Sequence, residues 1–406
     1  VKSASIITIG SEIVEGIILN TNAKYLSEKL TQSGLKVKRH LSVDDNLDDI
    51  VEAIKLSMRD CDMIILSGGL GPTEDDKTRE AVAIALGRKL VLNEKLRDSI
   101  KTRLSQYHKY IAANNDRQAM IIEGATIIPN KVGSAPGQLI NHEGKILILL
   151  PGPPQELIPM FESVLVDLKI DKEFTTISML FFAIAESTLD EMIVNLSPDP
   201  AIKIATQASY ADGIRVRFTC AVQDYEKANE LAAKLIDKIK DHFIGFGDTT
   251  LEQTVVKCLK EKNKTLSVAE SCTGGMISSR IVSVPGASEV FLGGIVAYDN
   301  SVKSKLLKVS DEVLMKYGAV SEQCVVQMAH GIKQLTGSDL AISVSGIAGP
   351  SGGTDEKPVG TVFLCVVGDG VEKVTQLFYP QERNIFRMRV SAYGLYLVLK
   401  ALNCVV

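Results

Sequence analysis

DMIILSGGLGPTEDDKT, residues 62–78, is an unbroken apolar run that ends in glycines and opens into a helix through acidic residues. A short apolar run bounded by glycine reads as a strand buried on both faces. Working outward, SIITIG (5–10) and KILILLPGPPQEL (145–157) repeat the pattern, and LKVKRHLSV (35–43) alternates like a strand. Between them, the stretch through Leu26 and Leu30 and the stretch 47–59 carry apolar residues at helical period. This alternation predicts a parallel sheet covered by helices on both faces over residues 1–168. Ligands of such sheets gather beyond the carboxyl ends of the strands, where the Gly-rich loops fall.

Residues 169–248 differ in texture. TTISMLFFAI is β-rich, ESTLDEMIVNL helical, and IKIATQASYADGIRVRFTCAV reads as two strands around Ala-Asp-Gly. An amphipathic helix, EKANELAAKLIDKIKDHF, closes a small α+β unit with the look of a connector or dimerisation module. Residues 249–406 return to α/β alternation, with strands at TLSVA, FLGGIVAYDN, DLAISVSG, GTVFLCVVG and VTQLFYP and a last helix from about Glu382 to Leu402.

The bulk properties narrow the classes. A chain of 406 residues exceeds one ordinary core and predicts two or three domains. The net charge of −4 offers no basic surplus for a nucleic-acid duplex, so direct nucleic-acid binding is not expected. Small anions held by backbone N–H groups need no such surplus. The Cys residues at 61, 220, 258, 272, 324, 365 and 404 form no CxxC pair and predict reduced thiols in a cytoplasmic protein. His40, His108, His142, His242 and His330 show no metal-binding spacing. No signal-peptide layout and no apolar run of ~18 residues is present, so no membrane helix is expected.

In the C-terminal third, AESCTGG (269–275) puts Ser271, Thr273 and Gly274 at a strand-to-helix turn. That position suits a helix N-cap and equally exposes a nucleophilic hydroxyl near helix N–H groups. Cys272 is a rival nucleophile with no basic neighbour in the motif to activate it. A nucleophilic Ser needs a base. Tyr298 and Lys303 in GGIVAYDNSVKSKLL (293–307) are the candidates, because a Lys beside a hydroxyl relays its proton in Ser–Lys hydrolases. SVSGIAGPSGGTDEKPVG (343–360) is too rich in Gly and Pro for regular structure. Its Ser345, Gly346, Gly349, Gly352 and Gly353 predict a backbone cradle for phosphate or an oxyanion. Arg383 and Arg387, one helical turn apart, are candidate anion forks.

In the N-terminal third, ITIGSEIVEG contributes Gly10 and Glu12, and SGGLGPTEDD contributes Gly68, Gly69, Gly71, Thr73, Asp75 and Asp76. NKVGSAPG adds Gly133, Ser134 and Pro136, and LPGPPQEL adds Gly152. Adjacent carboxylates beside phosphate-binding backbone suit a Mg²⁺-nucleotide site, with Asp75 and Asp76 as metal ligands.

SGGLGPTEDD, NKVGSAPG and LPGPPQEL together resemble the molybdopterin-binding domain. AESCTGG, GGIVAYDNSVKSKLL, SGIAGPSGGTDEKPVG and the Arg-bearing last helix resemble the C-terminal domain of the CinA (competence/damage-inducible) family, and their order matches the full-length family. The resemblance implies a three-layer αβα N-terminal domain, a KH-like middle domain and a C-terminal α/β domain. It further implies a homodimer and a C-terminal nicotinamide mononucleotide deamidase that uses no cofactor. Ser271 would be the nucleophile, Tyr298 and Lys303 the proton-handling pair, and Ser345 (where relatives usually carry Thr) and a last-helix Arg the substrate contacts. For the N-terminal domain it implies metal-dependent ADP-ribose pyrophosphatase activity in some members. The first motif departs from the family's Gly-Asp-Glu, reading Gly10-Ser11-Glu12. A different class of function, a pterin- or nucleotide-binding scaffold with a protein partner, fits the same motifs.

Overall fold

A computed structural model describes residues 1–106, 112–168, 170, 172–368 and 370–405; His108 lies outside them. The first sheet has the order Lys36–Val43, Ser3–Ile9, Met63–Ser67, Lys145–Leu150, Gly137–His142, Thr126–Ile128. The pattern of alternation explains its two covered faces. Ile7, Ile9, Ile64, Leu66, Leu147 and Leu149 join one buried cluster, whereas Ala4, Ile6, Met63, Ile65, Ile148 and Leu150 join another. Successive strand residues point to opposite faces, so an all-apolar strand feeds two cores at once.

The first four strands run parallel, Gly137–His142 runs antiparallel to both of its neighbours, and Thr126–Ile128 again has the direction of the first four. The parallel sheet expected from the sequence is present but mixed. The physical reason is a tight hairpin: Glu143 and Gly144, both at positive φ, join Gly137–His142 to Lys145–Leu150. The parallel strands still deliver Gly10, Gly68 and Gly152 to the same sheet end.

A second sheet, of order Lys203–Ser209, Gly213–Ala221, Phe174–Phe181, Phe243–Phe246, carries the helices Glu186–Asn195 and Tyr225–Lys238. A third has the order Phe291–Val296, Leu266–Glu270, Leu340–Gly346, Thr361–Gly368, Val371–Phe378. Its first three strands are parallel, and Thr361–Gly368 runs antiparallel to the strands on both sides of it. The helices Leu251–Glu261, Met276–Val282 and Arg383–Ala401 pack together and contribute to one buried cluster. Asn300–Leu307 and Glu322–Thr336 contribute to another. Glu322–Thr336 begins at a Ser321 cap, ends at left-handed Gly337, and buries Cys324, Val325, Met328, Ala329 and Ile332 along one stripe. Leu180, Phe182 and Ile244 of the middle segment join the same core as the last helix, and residues 177–220 and 224–406 form one compact unit.

Two thiols depart from the expected reduced state: Cys258 and Cys404 are bridged, with Cα atoms 6.4 Å apart and 146 residues between them in sequence. Cys61, Cys220, Cys272, Cys324 and Cys365 are free and buried. Closing so long a loop predicts that reductant, or Cys404→Ser, costs about 2–5 kcal/mol of stability. A melting transition that reductant leaves unmoved would show that the bridge does not form in solution. Among the described residues no helix is long and apolar enough to cross a membrane.

Candidate active site

Ser271 follows the strand Leu266–Glu270 and lies at the bottom of a cleft of about 260 Å³, 8% exposed. Its neighbour across the cleft is Lys303, in the first turn of Asn300–Leu307 and only 1% exposed. The Lys303 Nζ donates to the Ser271 Oγ at 3.3 Å, to the Ala297 carbonyl at 2.8 Å and to the Tyr298 carbonyl at 3.1 Å. Burial of the amine holds its pKa below the ordinary Lys value. When Lys303 is neutral, its two N–H bonds serve the carbonyls and its lone pair faces the Ser271 hydroxyl. This arrangement suits proton abstraction from Ser271. Cys272, the rival nucleophile, is 5% exposed, and burial pushes its thiol up to about 12, so it is protonated at neutral pH.

Tyr298 lines the same cleft as Ser271 and Lys303. It is 61% exposed, and its hydroxyl accepts from Arg383 at 3.0 Å. Arg383 also donates to the Gly349 carbonyl at 2.7 Å, which ties the last helix to the Gly-rich loop at the cleft. Ser345, Gly346, Gly349 and Gly352 line the cleft, and the buried Ser345 hydroxyl donates to the Ala319 carbonyl at 2.7 Å. Gly353 packs against Val359.

The two arginines do not share a target. Arg387 donates through Nε and its terminal nitrogen to the Thr273 carbonyl, bracing the turn that carries Ser271. Thr273 is fully buried, and Gly274 sits against Arg387.

Sequence reasoning passed over Glu270. Its side chain is completely buried, and one oxygen accepts from the Ser278 N–H and hydroxyl while the other accepts from the Ile277 N–H. The start of Met276–Val282 is thus already occupied by a carboxylate, so those helix N–H groups are not directed at the Ser271 target as expected. The alternation of buried and exposed residues does not mark this position, because every residue of the strand is buried.

A second cavity, of about 560 Å³, lies at the carboxyl ends of the N-terminal parallel strands. Gly10, Glu12, Gly68, Gly69, Gly71, Asp75, Asp76, Ser134 and Gly152 line it. Gly68 must lack a side chain, since at φ 107° its Cβ would lie 2.2 Å from the Ile9 carbonyl oxygen. Asn22 donates to Ser67 at 2.9 Å and to the Gly152 carbonyl at 2.7 Å, joining two of the loops. Gly133 leaves room for Glu156, which accepts from Asn130 at 2.6 Å; Pro136 completes that loop. Asp76 spends its oxygens inside its own loop, on the Gly71 N–H and on the Thr73 N–H and hydroxyl. The Ser11 hydroxyl shares its proton between Asp44 and Asp45, and its backbone N–H donates to Asp45 at 2.9 Å; Asp45 lines the cavity, so a carboxylate stands at this lip although residue 11 is not one. Among the described residues no group of three His, Cys, Asp or Glu side chains is arranged to hold a metal.

Residues 5–169 match the family described as probable molybdopterin binding domain, 178–246 the damage-inducible protein CinA KH domain, and 248–402 the CinA C-terminal domain. The chain is 58% identical over 402 residues to a CinA-like protein of Pseudothermotoga lettingae, covering 99% of both. It is 47% identical over 396 residues to a CinA-like protein of Thermotoga maritima, covering 97% of both. The crystal structure of the protein CinA from Thermoplasma acidophilum is 36% identical and covers 41% of this chain and 97% of that one, with a TM-score of 0.39.

Proposed function

Because the chain belongs to the CinA family, with its molybdopterin-binding-like, KH and C-terminal domains in order, we propose that the C-terminal domain hydrolyses the carboxamide of nicotinamide mononucleotide. The observation that carries the reading is the buried Lys303 amine on the Ser271 hydroxyl, in a cleft that also holds an Arg and a Gly-rich loop. Lys303 takes the Ser271 proton as Oγ adds to the carboxamide carbon. The protonated amine returns that proton to the departing ammonia and leaves an ester on Ser271. Lys303 then takes a proton from water as the water oxygen adds to the ester carbon; the bond to Ser271 Oγ breaks, Oγ takes that proton back from Lys303, and the nicotinate product is released. The backbone N–H groups that would stabilise the oxyanion are those of the 272–275 turn or the 346–353 loop. Arg383 and the Gly349–Gly352 backbone take the 5′-phosphate, and Tyr298 orients Arg383.

Ammonia release from nicotinamide mononucleotide by the full chain tests this; folded protein that releases none overturns it. Arg383→Met is expected to raise KM for nicotinamide mononucleotide roughly ten- to a hundredfold, as loss of a charge-assisted bond does. KM for nicotinamide riboside, which has no phosphate, should move little. Equal effects on both substrates would place the phosphate elsewhere.

The N-terminal cavity supports a second site, for a nucleotide such as ADP-ribose. Three Gly-bearing strand ends converge there on one space. Asp75, at the cavity wall, is the carboxylate that would hold a Mg²⁺ whose other ligands would come from substrate phosphate and water. Such an ion would supply charge neutralisation at the pyrophosphate.

A further inference from the structure

A hairpin of the middle segment reaches the helices that support the Ser271 cleft. Its strands, Lys203–Ser209 and Gly213–Ala221, pair as far as Ser209 opposite Gly213, which leaves Tyr210, Ala211 and Asp212 at the tip. Arg280, on the helix Met276–Val282 that follows the Ser271 turn, donates to the Ala211 carbonyl at 2.8 Å and to Glu252 at 2.7 Å, so the tip is gripped. Beside it, the Arg389 guanidinium of the last helix lies over the Tyr210 ring at 5.4 Å and over the Tyr379 ring at 4.1 Å. Two rings from separate segments thus hold one cation, each through the negative face of its π-system. Tyr379 carries this contact to the site. Its N–H donates to the Gly360 carbonyl at 2.9 Å, and the Gly360 N–H donates to the Ile347 carbonyl at 2.8 Å, closing the base of the Gly-rich loop. Gly360 permits the approach, because at φ 103° a Cβ would lie 2.7 Å from the Tyr379 carbonyl. One short turn after Tyr379, Arg383 opens the last helix and donates to the Gly349 carbonyl of the same loop. By reaching back to Tyr379, Arg389 spans the Pro380-Gln381-Glu382 turn and fixes the point from which Arg383 projects.

We propose that Tyr210 of the middle segment is a positioning residue for the C-terminal site: through Arg389 and Tyr379 it holds the start of the last helix, and with it Arg383, at the phosphate end of the cleft. This rests on the reading of that cleft as a nicotinamide mononucleotide site. Tyr210 does not line the cleft, so its effect on substrate travels through Arg389. It is 54% exposed, so its replacement removes little packing. Holding Arg383 in place beforehand lowers the entropy lost when a long side chain is ordered on phosphate. The middle segment is then more than a connector, because it braces a site built from another domain.

The test is steady-state kinetics of the full chain with Tyr210→Leu, Tyr210→Phe and Arg383→Met, singly and combined. Tyr210→Leu should raise KM for nicotinamide mononucleotide about three- to tenfold, the scale of a cation–π contact. It should leave kcat, and KM for nicotinamide riboside, where they were. Tyr210→Phe keeps the ring and should match wild type. In an Arg383→Met background Tyr210→Leu should add nothing, because the group it positions is gone. Additive effects, or equal effects on both substrates, would make Tyr210 a packing residue and overturn the proposal; so would a Phe variant as impaired as the Leu variant. Amide exchange gives a readout that needs no turnover. The Gly360 and Tyr379 N–H groups should exchange faster in Tyr210→Leu and not in Tyr210→Phe. Either an unmoved KM or unmoved exchange overturns the proposal. Full chain that releases no ammonia overturns the deamidase reading, and exchange then decides by itself whether the hairpin holds the helix start.

Discussion

Ser271→Ala is expected to lower ammonia release from nicotinamide mononucleotide by roughly 10⁴-fold or more, with the substrate still bound. Removal of a nucleophile that works as a unit with its base costs about as much as removal of the whole machinery, which sets the scale. The substitution deletes one oxygen at a position 8% exposed, so the cleft keeps its shape and Arg383 its contacts. The loss therefore falls on kcat rather than on binding. Rapid quenching of the wild type should show a transient ester on a peptide containing Ser271, and the variant should show none. Retained turnover in Ser271→Ala would remove this residue from the nucleophile role. Cys272 is an unpromising replacement, because its thiol, pushed up to about 12, stays protonated.

Lys303 carries the second large effect. Lys303→Met is expected to lower kcat by about 10²–10⁴-fold, the range for loss of a positioned general base. The pH profile separates this role from packing. Burial depresses the amine's pKa, so the neutral, proton-accepting form gains population as pH rises through a midpoint below the ordinary Lys value. Wild-type rates should climb along that limb. Lys303→Arg keeps a charge that cannot be shed and should lose both the rate and the limb. The same linkage acts on folding. The folded state disfavours the charged amine, so the contribution of Lys303 to stability is full above the unfolded value and is lost as pH falls through the folded one. A limb that persists in Lys303→Met would assign the proton transfer to another group.

Much of the architecture was legible because it rests on local pattern. The apolar runs at 5–9, 62–67 and 145–150 became parallel neighbours, and the glycines after them line one cavity. Ser271 and Lys303, separated by 32 positions, came together because adjacent parallel strands put their carboxyl ends side by side. What escaped depends on contacts that no local spacing encodes. Cys258 and Cys404 pair across 146 residues without a motif. Glu270 is an ordinary strand residue until the fold lays a helix start over its carboxylate. Helical spacing put Arg383 and Arg387 on adjacent turns, but the Thr273 carbonyl draws the second away from the cleft. The antiparallel end of the first sheet turns on His142-Glu143-Gly144-Lys145, a hairpin marked by one glycine rather than by the usual Asn-Gly or Asp-Gly.

The core shared by the middle segment and the C-terminal domain dictates where the chain can be divided. The Phe182 ring lies tilted against Tyr396, centroids 5.4 Å apart, and against Tyr393 at 6.2 Å, and Asp241 holds Lys400 at 2.7 Å. A fragment cut at residue 249 strips these rings of their cover and presents a sticky aromatic face to water. One that retains residues 177–406 keeps them sheathed. A gene fusion, a proteolytic nick or a recombination event at 249 therefore yields a domain prone to self-association, although the cleft around Ser271 lies wholly inside it.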